Sequence, residues 1–216
     1  MTTIKFCGLT LPEDAEFATE LGASHVGAIF AESPRRVSEI AAKRVFEPVG
    51  SSVRRVGVFG RSSAPAVAST ANLLKLDVVQ LHRAVDGAFM GRLKAGYAGQ
   101  VWLVVGVGDV QRTIADAHER SQFADAILLD TSVAGRTGGT GKTFDWESAA
   151  DAFSREPIDL PIILAGGLNP RNVGNAIRAF HPAVVDVSSG VETSPGIKDH
   201  NLMRSFAEAV HSASIV

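Results

Sequence analysis

Val184-Val185-Asp186-Val187-Ser188-Ser189-Gly190 opens with the eighth short apolar run along this chain, and its being the eighth decides the fold. Seven similar runs precede it, at residues 4–7, 25–30, 54–59, 78–81, 101–107, 126–129 and 161–164. Most are nearly continuous in Val, Ile and Leu, the pattern of strands buried on both faces of a parallel sheet. Segments that open like helices lie between them. Pro12 comes with Glu13 and Asp14 in the first turn. Ser38-Glu39-Ile40 and Ser63-Ala64-Pro65 open two more, Asp145 stands as an N-cap before Trp146-Glu147, and Asn169-Pro170 pairs a cap with a helix-starting proline. A last helix follows Pro195-Gly196, at about 198–211. Alternating strands and helices fit a doubly wound sheet or a barrel. Eight units of about 27 residues favour the α/β class, as a (β/α)8 TIM barrel with eight parallel strands. No linker, composition break or charge run divides the chain, so 1–216 is expected to be a single domain.

Bulk composition narrows the function. With 45% hydrophobic and 20% charged residues the chain has an ordinary globular balance, and a net charge of −2 argues against nucleic acid or an anionic membrane as partner. No signal-peptide pattern and no apolar stretch of membrane-spanning length is present. One cysteine in 216 residues excludes an internal disulfide and points to a reducing, cytoplasmic setting. Monomer and homodimer both suit this composition.

In a barrel the chemistry gathers at the C-terminal ends of the strands. The polar residues there are Cys7, Arg35, Gln80, His82, Asp130, Gly166, Gly167, Asp186, Ser188, Ser189 and Gly190. Gly166-Gly167 and Ser188-Ser189-Gly190 follow the seventh and eighth runs, the recurring phosphate site of this fold. Their glycines also suit plain tight turns, but two such loops in adjacent units favour an anion. Cys7 closes the first run and is followed at once by Gly8, so it can face a pocket as base or nucleophile. The competing reading is a thiol that merely packs. Asp130 ends the sixth run and precedes a glycine-rich stretch instead of a helix, which weakens a capping role and leaves a proton donor. Cys7 and Asp130 are expected to face one another across the barrel mouth as base and acid.

Other motifs fail. Gly135–Lys142 tempts a Walker A reading, but Arg136 stands where the first glycine is required; a loop closing over a small ligand fits better. Gly106-Val107-Gly108 does not continue into a dinucleotide fingerprint, because Gln111 occupies the third glycine position. The six histidines lack metal-ligand spacing; His25, His118, His181 and His211 read as surface positions.

Taken in order, Lys5-Phe6-Cys7-Gly8-Leu9-Thr10, Ser33-Pro34-Arg35, Val79-Gln80-Leu81-His82, Leu128-Leu129-Asp130-Thr131, Gly138-Gly139-Thr140-Gly141-Lys142-Thr143-Phe144-Asp145-Trp146, Leu164-Ala165-Gly166-Gly167-Leu168, Val185-Asp186-Val187-Ser188-Ser189-Gly190-Val191-Glu192 and Pro195-Gly196-Ile197-Lys198-Asp199 resemble the phosphoribosylanthranilate isomerase family of tryptophan biosynthesis. The resemblance spans the whole chain. It implies an Amadori rearrangement with Asp130 as general acid, Cys7 as general base and Arg35 on the anthranilate carboxylate. Gln80, His82 and Asp186 would contact the substrate. Gly166, Gly167, Ser188, Ser189 and Gly190 would hold the phosphate, with no cofactor or metal. The chain departs from the family pattern at Arg83, where glycine is usual, and in a shorter segment before Ser33.

Two rivals stand beside this reading. The related phosphoribosyl isomerase of histidine synthesis uses two aspartates where this chain has Cys7 and Asp130, and its doubly phosphorylated substrate calls for a second phosphate loop in the first half. A non-catalytic phosphosugar-binding barrel would bind a product analogue without turnover. A free thiol is only a few per cent ionised at pH 7, so the site is expected to lower the Cys7 pKa through Lys5 or a cationic intermediate.

Overall fold

The eight apolar runs become eight strands: β1 (Thr3–Cys7), β2 (His25–Ile29), β3 (Arg54–Phe59), β4 (Val78–Leu81), β5 (Gln100–Gly106), β6 (Ala126–Asp130), β7 (Ile162–Ala165) and β8 (Val184–Val187). A computed structural model describes residues 1–130 and 146–214. Each strand pairs in parallel with the next, and β8 returns to β1, closing the barrel. Helices α1 (Pro12–Glu20), α2 (Glu39–Val45), α3 (Ala64–Leu73), α4 (Gly87–Gly96), α5 (Val110–Ser121), α6 (Trp146–Arg155), α7 (Val173–Phe180) and α8 (His200–Ala213) form the outer layer. The expected (β/α)8 TIM barrel is the observed fold. Asp145 and the stretch from Gly135 to Thr143 lie outside the described residues.

Local chemistry sets the helix starts. Ser38 and Ser63 cap α2 and α3 by accepting from the Ala41 and Ala66 amides, and Pro12 begins α1. Two expectations shift. The Asn169-Pro170 start gives way to Val173, because the Asn169 amide donates to Asn172 Oδ1 and the Arg171 amide to Asn169 Oδ1, closing a separate turn first. The last helix begins at His200, after a short hairpin of β9 (Glu192–Ser194) and β10 (Ile197–Lys198).

The core has two parts. Outward-facing residues such as Ile4, Phe6, Ile127, Leu129, Val185 and Val187 pack beneath the helices. Inward-facing Val56, Val78, Trp102, Val104, Ala126, Leu128, Ile163 and Val184 plug the lower barrel. Along one strand, inward residues fall at every second position. Val184 is followed by Asp186, Leu128 by Asp130 and Val78 by Gln80, so apolar filling below gives way to polar groups above.

His25 corrects the surface expectation: it is buried at the start of β2, its ring 4.9 Å from that of Trp102. Burial, with the charges of Lys5 and Arg54, lowers its pKa to about 3. The unfolded chain therefore binds more protons than the folded one between pH 3 and 6.5, and stability falls as pH drops through that window. From this group alone the fold is expected to be about 2 kcal/mol less stable at pH 5 than at pH 7. Urea unfolding of wild type and His25→Gln at both pH values measures it. An unchanged pH dependence in the variant would refute the assignment.

Candidate active site

A cavity of about 840 Å³ opens at the C-terminal end of the barrel. That is ample for a small-molecule ligand. It is lined by Cys7, Arg35, Gln80, His82, Asp130, Gly166, Gly167, Asp186, Ser188 and Ser189, ten of the eleven residues singled out from sequence. Gly190 is the exception. It sits in a single 3-10 turn, Ser189–Val191, against the preceding loop, where an added Cβ would collide with the Leu168 carbonyl oxygen.

The floor is charged. Lys5 is fully buried, one turn of the pleat below Cys7, and its Nζ donates to Asp186 Oδ2 at 2.7 Å. Burial works against its charge, but the Asp186 and Cys7 partners outweigh that and hold Lys5 above its ordinary pKa. Cys7 departs from expectation. Burial pushes the thiol up from its ordinary value, with the opposing pull of Lys5 too weak to reverse it. In the unliganded protein Cys7 is therefore a thiol at neutral pH. Burial also lowers the pKa of His82, so its ring is neutral and shares a 2.9 Å hydrogen bond with Gln80 Nε2.

Three polar atoms around this cavity, Gln80 Oε1, Asp186 Oδ1 and Ser188 Oγ, are buried without a hydrogen-bond partner among the described residues. Such atoms cost about 1–3 kcal/mol each unless a ligand or water satisfies them. They mark a surface built for a polar molecule. Gly166 and Gly167 line the cavity with Ser188 and Ser189 at adjacent strand ends, and the Gly167 carbonyl accepts from the side-chain Nδ2 groups of Asn169 and Asn172 at 3.2 and 3.0 Å.

Arg35 reaches the rim from the loop after β2. Gly8 makes the approach possible: its φ is +70°, and a Cβ there would come within 2.7 Å of Arg35 Cδ and 2.8 Å of Ser188 Oγ. Arg35 grips Glu192 with two nitrogens, Nε at 2.8 and 3.0 Å and Nη2 at 2.7 Å. Lys198 Nζ donates to the same carboxylate at 2.7 Å and to the Ser188 carbonyl at 3.1 Å. Burial alone would raise the Glu192 pKa, yet these two cations hold it below the usual carboxylate range. Glu192 and Lys198 are the functional neighbours that sequence reasoning missed. Arg83 is turned off the cavity, its guanidinium 4.6 Å over the Phe89 ring.

Residues 4–209 match the model of the N-(5'-phosphoribosyl)anthranilate (PRA) isomerase family. The chain belongs to that family. An N-(5'-phosphoribosyl)anthranilate isomerase of Pseudomonas fluorescens is 40% identical over 211 residues, 97% of this chain and 96% of its own. The crystal structure of phosphoribosyl anthranilate isomerase from Thermotoga maritima superposes with a TM-score of 0.87 at 37% identity, covering 98% of this chain and all of the other. A phosphoribosyl anthranilate isomerase solved in complex with reduced 1-(o-carboxyphenylamino)-1-deoxyribulose 5-phosphate gives a TM-score of 0.84 at 34% identity, over 98% and 100% of the two chains. Among the described residues of this family member, no helix is long and apolar enough to cross a membrane.

Proposed function

We infer that this chain isomerises N-(5'-phosphoribosyl)anthranilate to 1-(2-carboxyphenylamino)-1-deoxyribulose 5-phosphate, an aldose–ketose rearrangement of tryptophan biosynthesis. The observation that carries the reading is a single cavity holding Cys7, Asp130, Arg35 and the paired loops of Gly166-Gly167 and Ser188-Ser189. Asp130 on β6 and Cys7 on β1 enter it from well-separated strands, β7 and β8 intervening on the shorter way round.

Each residue then has a task. Asp130 gives a proton to the furanose ring oxygen; the C1′–O bond breaks and its carbon is left as an iminium. Cys7, as thiolate, takes the C2′ proton, and the C–H electron pair becomes the C1′–C2′ double bond of the enolamine. Tautomerisation gives the ketone. The iminium nitrogen favours the thiolate at the step that needs it, with Lys5 alongside. The planar fork of Arg35 suits the anthranilate carboxylate. Asp186 Oδ1 and the Gln80–His82 pair suit the sugar hydroxyls and the bridging amine. Ser188 Oγ and the backbone of Gly166, Gly167 and Ser189 suit the phosphate, with Gly190 letting the turn pack against Leu168 behind them. We place the enzyme in the cytoplasm, as one domain over 1–216 whose partner is this phosphosugar.

The test is turnover. Purified protein under reducing conditions is expected to consume phosphoribosylanthranilate with loss of anthranilate-type fluorescence. Folded protein that binds the reduced product analogue without turnover would instead make it a binding barrel.

A further inference from the structure

Arg35 lines the cavity, but Glu192 and Lys198 do not; they stand behind it. That arrangement is costly to build. The Lys198 and Glu192 side chains are 0% and 4% exposed, and one carboxylate accepts from two cations drawn from opposite ends of the chain. Buried ion pairs of this kind seldom add stability over apolar packing, which leaves a geometric purpose to be explained. The guanidinium has five N–H groups. Glu192 engages Nε and one side of Nη2, and the Nη1 edge has no protein partner among the described residues. That second edge offers another bidentate fork. Charge agrees: two cations and one anion leave +1, matched by one incoming carboxylate.

We propose that Glu192, anchored by Lys198, is a positioning residue that holds Arg35 by one edge so that the other faces the ligand's carboxylate. The inference rests on Arg35 as the carboxylate site, as proposed above. Lys198 also grips the Ser188 carbonyl, so the same anchor ties Arg35 to the phosphate loop.

The experiment compares two ligands by calorimetry: the reduced product analogue, and its phenylamino counterpart lacking the ring carboxylate. Glu192→Gln is expected to weaken the carboxylate ligand about 10- to 50-fold, with the carboxyl-free ligand within twofold, and to raise KM far more than it lowers kcat. Arg35→Ala should show the same selectivity, and the double variant should be no worse than Arg35→Ala alone. If Arg35→Ala does not distinguish the ligands, the carboxylate assignment fails. If it does and Glu192→Gln does not, or if the two losses add, the positioning role fails. Lys198→Met, which leaves both partners in place, provides a second reading should Glu192→Gln not fold. A selective loss of threefold or more is expected, and equal loss of both ligands would overturn the proposal.

Discussion

Cys7→Ser is expected to lower kcat by about two to four orders of magnitude, the usual contribution of a placed general base. The substitution is close to isosteric at a site only 5% exposed, so the barrel should survive it. Chemistry is what changes, because a serine hydroxyl has no accessible anion near neutral pH. The pH dependence of Cys7 alkylation sharpens the test. Burial holds the thiol of the free enzyme above its ordinary value, so its basic form grows about tenfold per pH unit below that pKa. The rate at which iodoacetamide alkylates Cys7 in the free enzyme, which reads the thiolate alone, should therefore still be rising at pH 9, and in Cys7→Ser this labelling should vanish. Alkylation already at its plateau below pH 7 would refute the buried thiol, and near-full activity in the variant would remove Cys7 from the role of base.

Asp130→Asn is expected to cost a similar two to four orders in kcat. Asparagine keeps the shape of the side chain but has no proton to give to the ring oxygen. The reduced product analogue is already open-chain, so it needs no such proton. Its Kd should change by no more than about threefold while turnover collapses. Parallel loss of affinity and turnover would mean that Asp130 shapes the cavity and does not donate. Asp130→Glu should recover part of the lost rate.

The strands were legible to within about one residue at either end because most are nearly continuous in apolar residues, as over Val101–Val105 within β5. The polar strand-end residues were legible too: in Ala126–Asp130 and Val184–Val187 one stands two positions after an inward apolar residue. What the chain hides are contacts made by closure. His25 looks like a surface residue beside Ser24, yet the alternation that points Gly27 and Ile29 inward carries His25 inward with them. Glu192 lies 157 residues from Arg35, and Lys198 reaches it only because Pro195-Gly196 folds a small hairpin. No periodicity announces such a triad. The expectation that Lys5 lowers the Cys7 pKa failed for another reason. Lys5 was seen as a neighbour, but the depth of the thiol was not, and desolvation outweighs the ammonium.

The Lys5–Asp186 pair spans the seam where the first strand meets the last, in register at Lys5 and Asp186. During synthesis the amine emerges some 180 residues ahead of its carboxylate. Until β8 arrives, any barrel-like intermediate would bury an ammonium with no counter-charge, a penalty of several kcal/mol. The reaction floor thus doubles as a latch. A nascent chain is discouraged from compacting early, and catalytic competence begins with the closing of the ring.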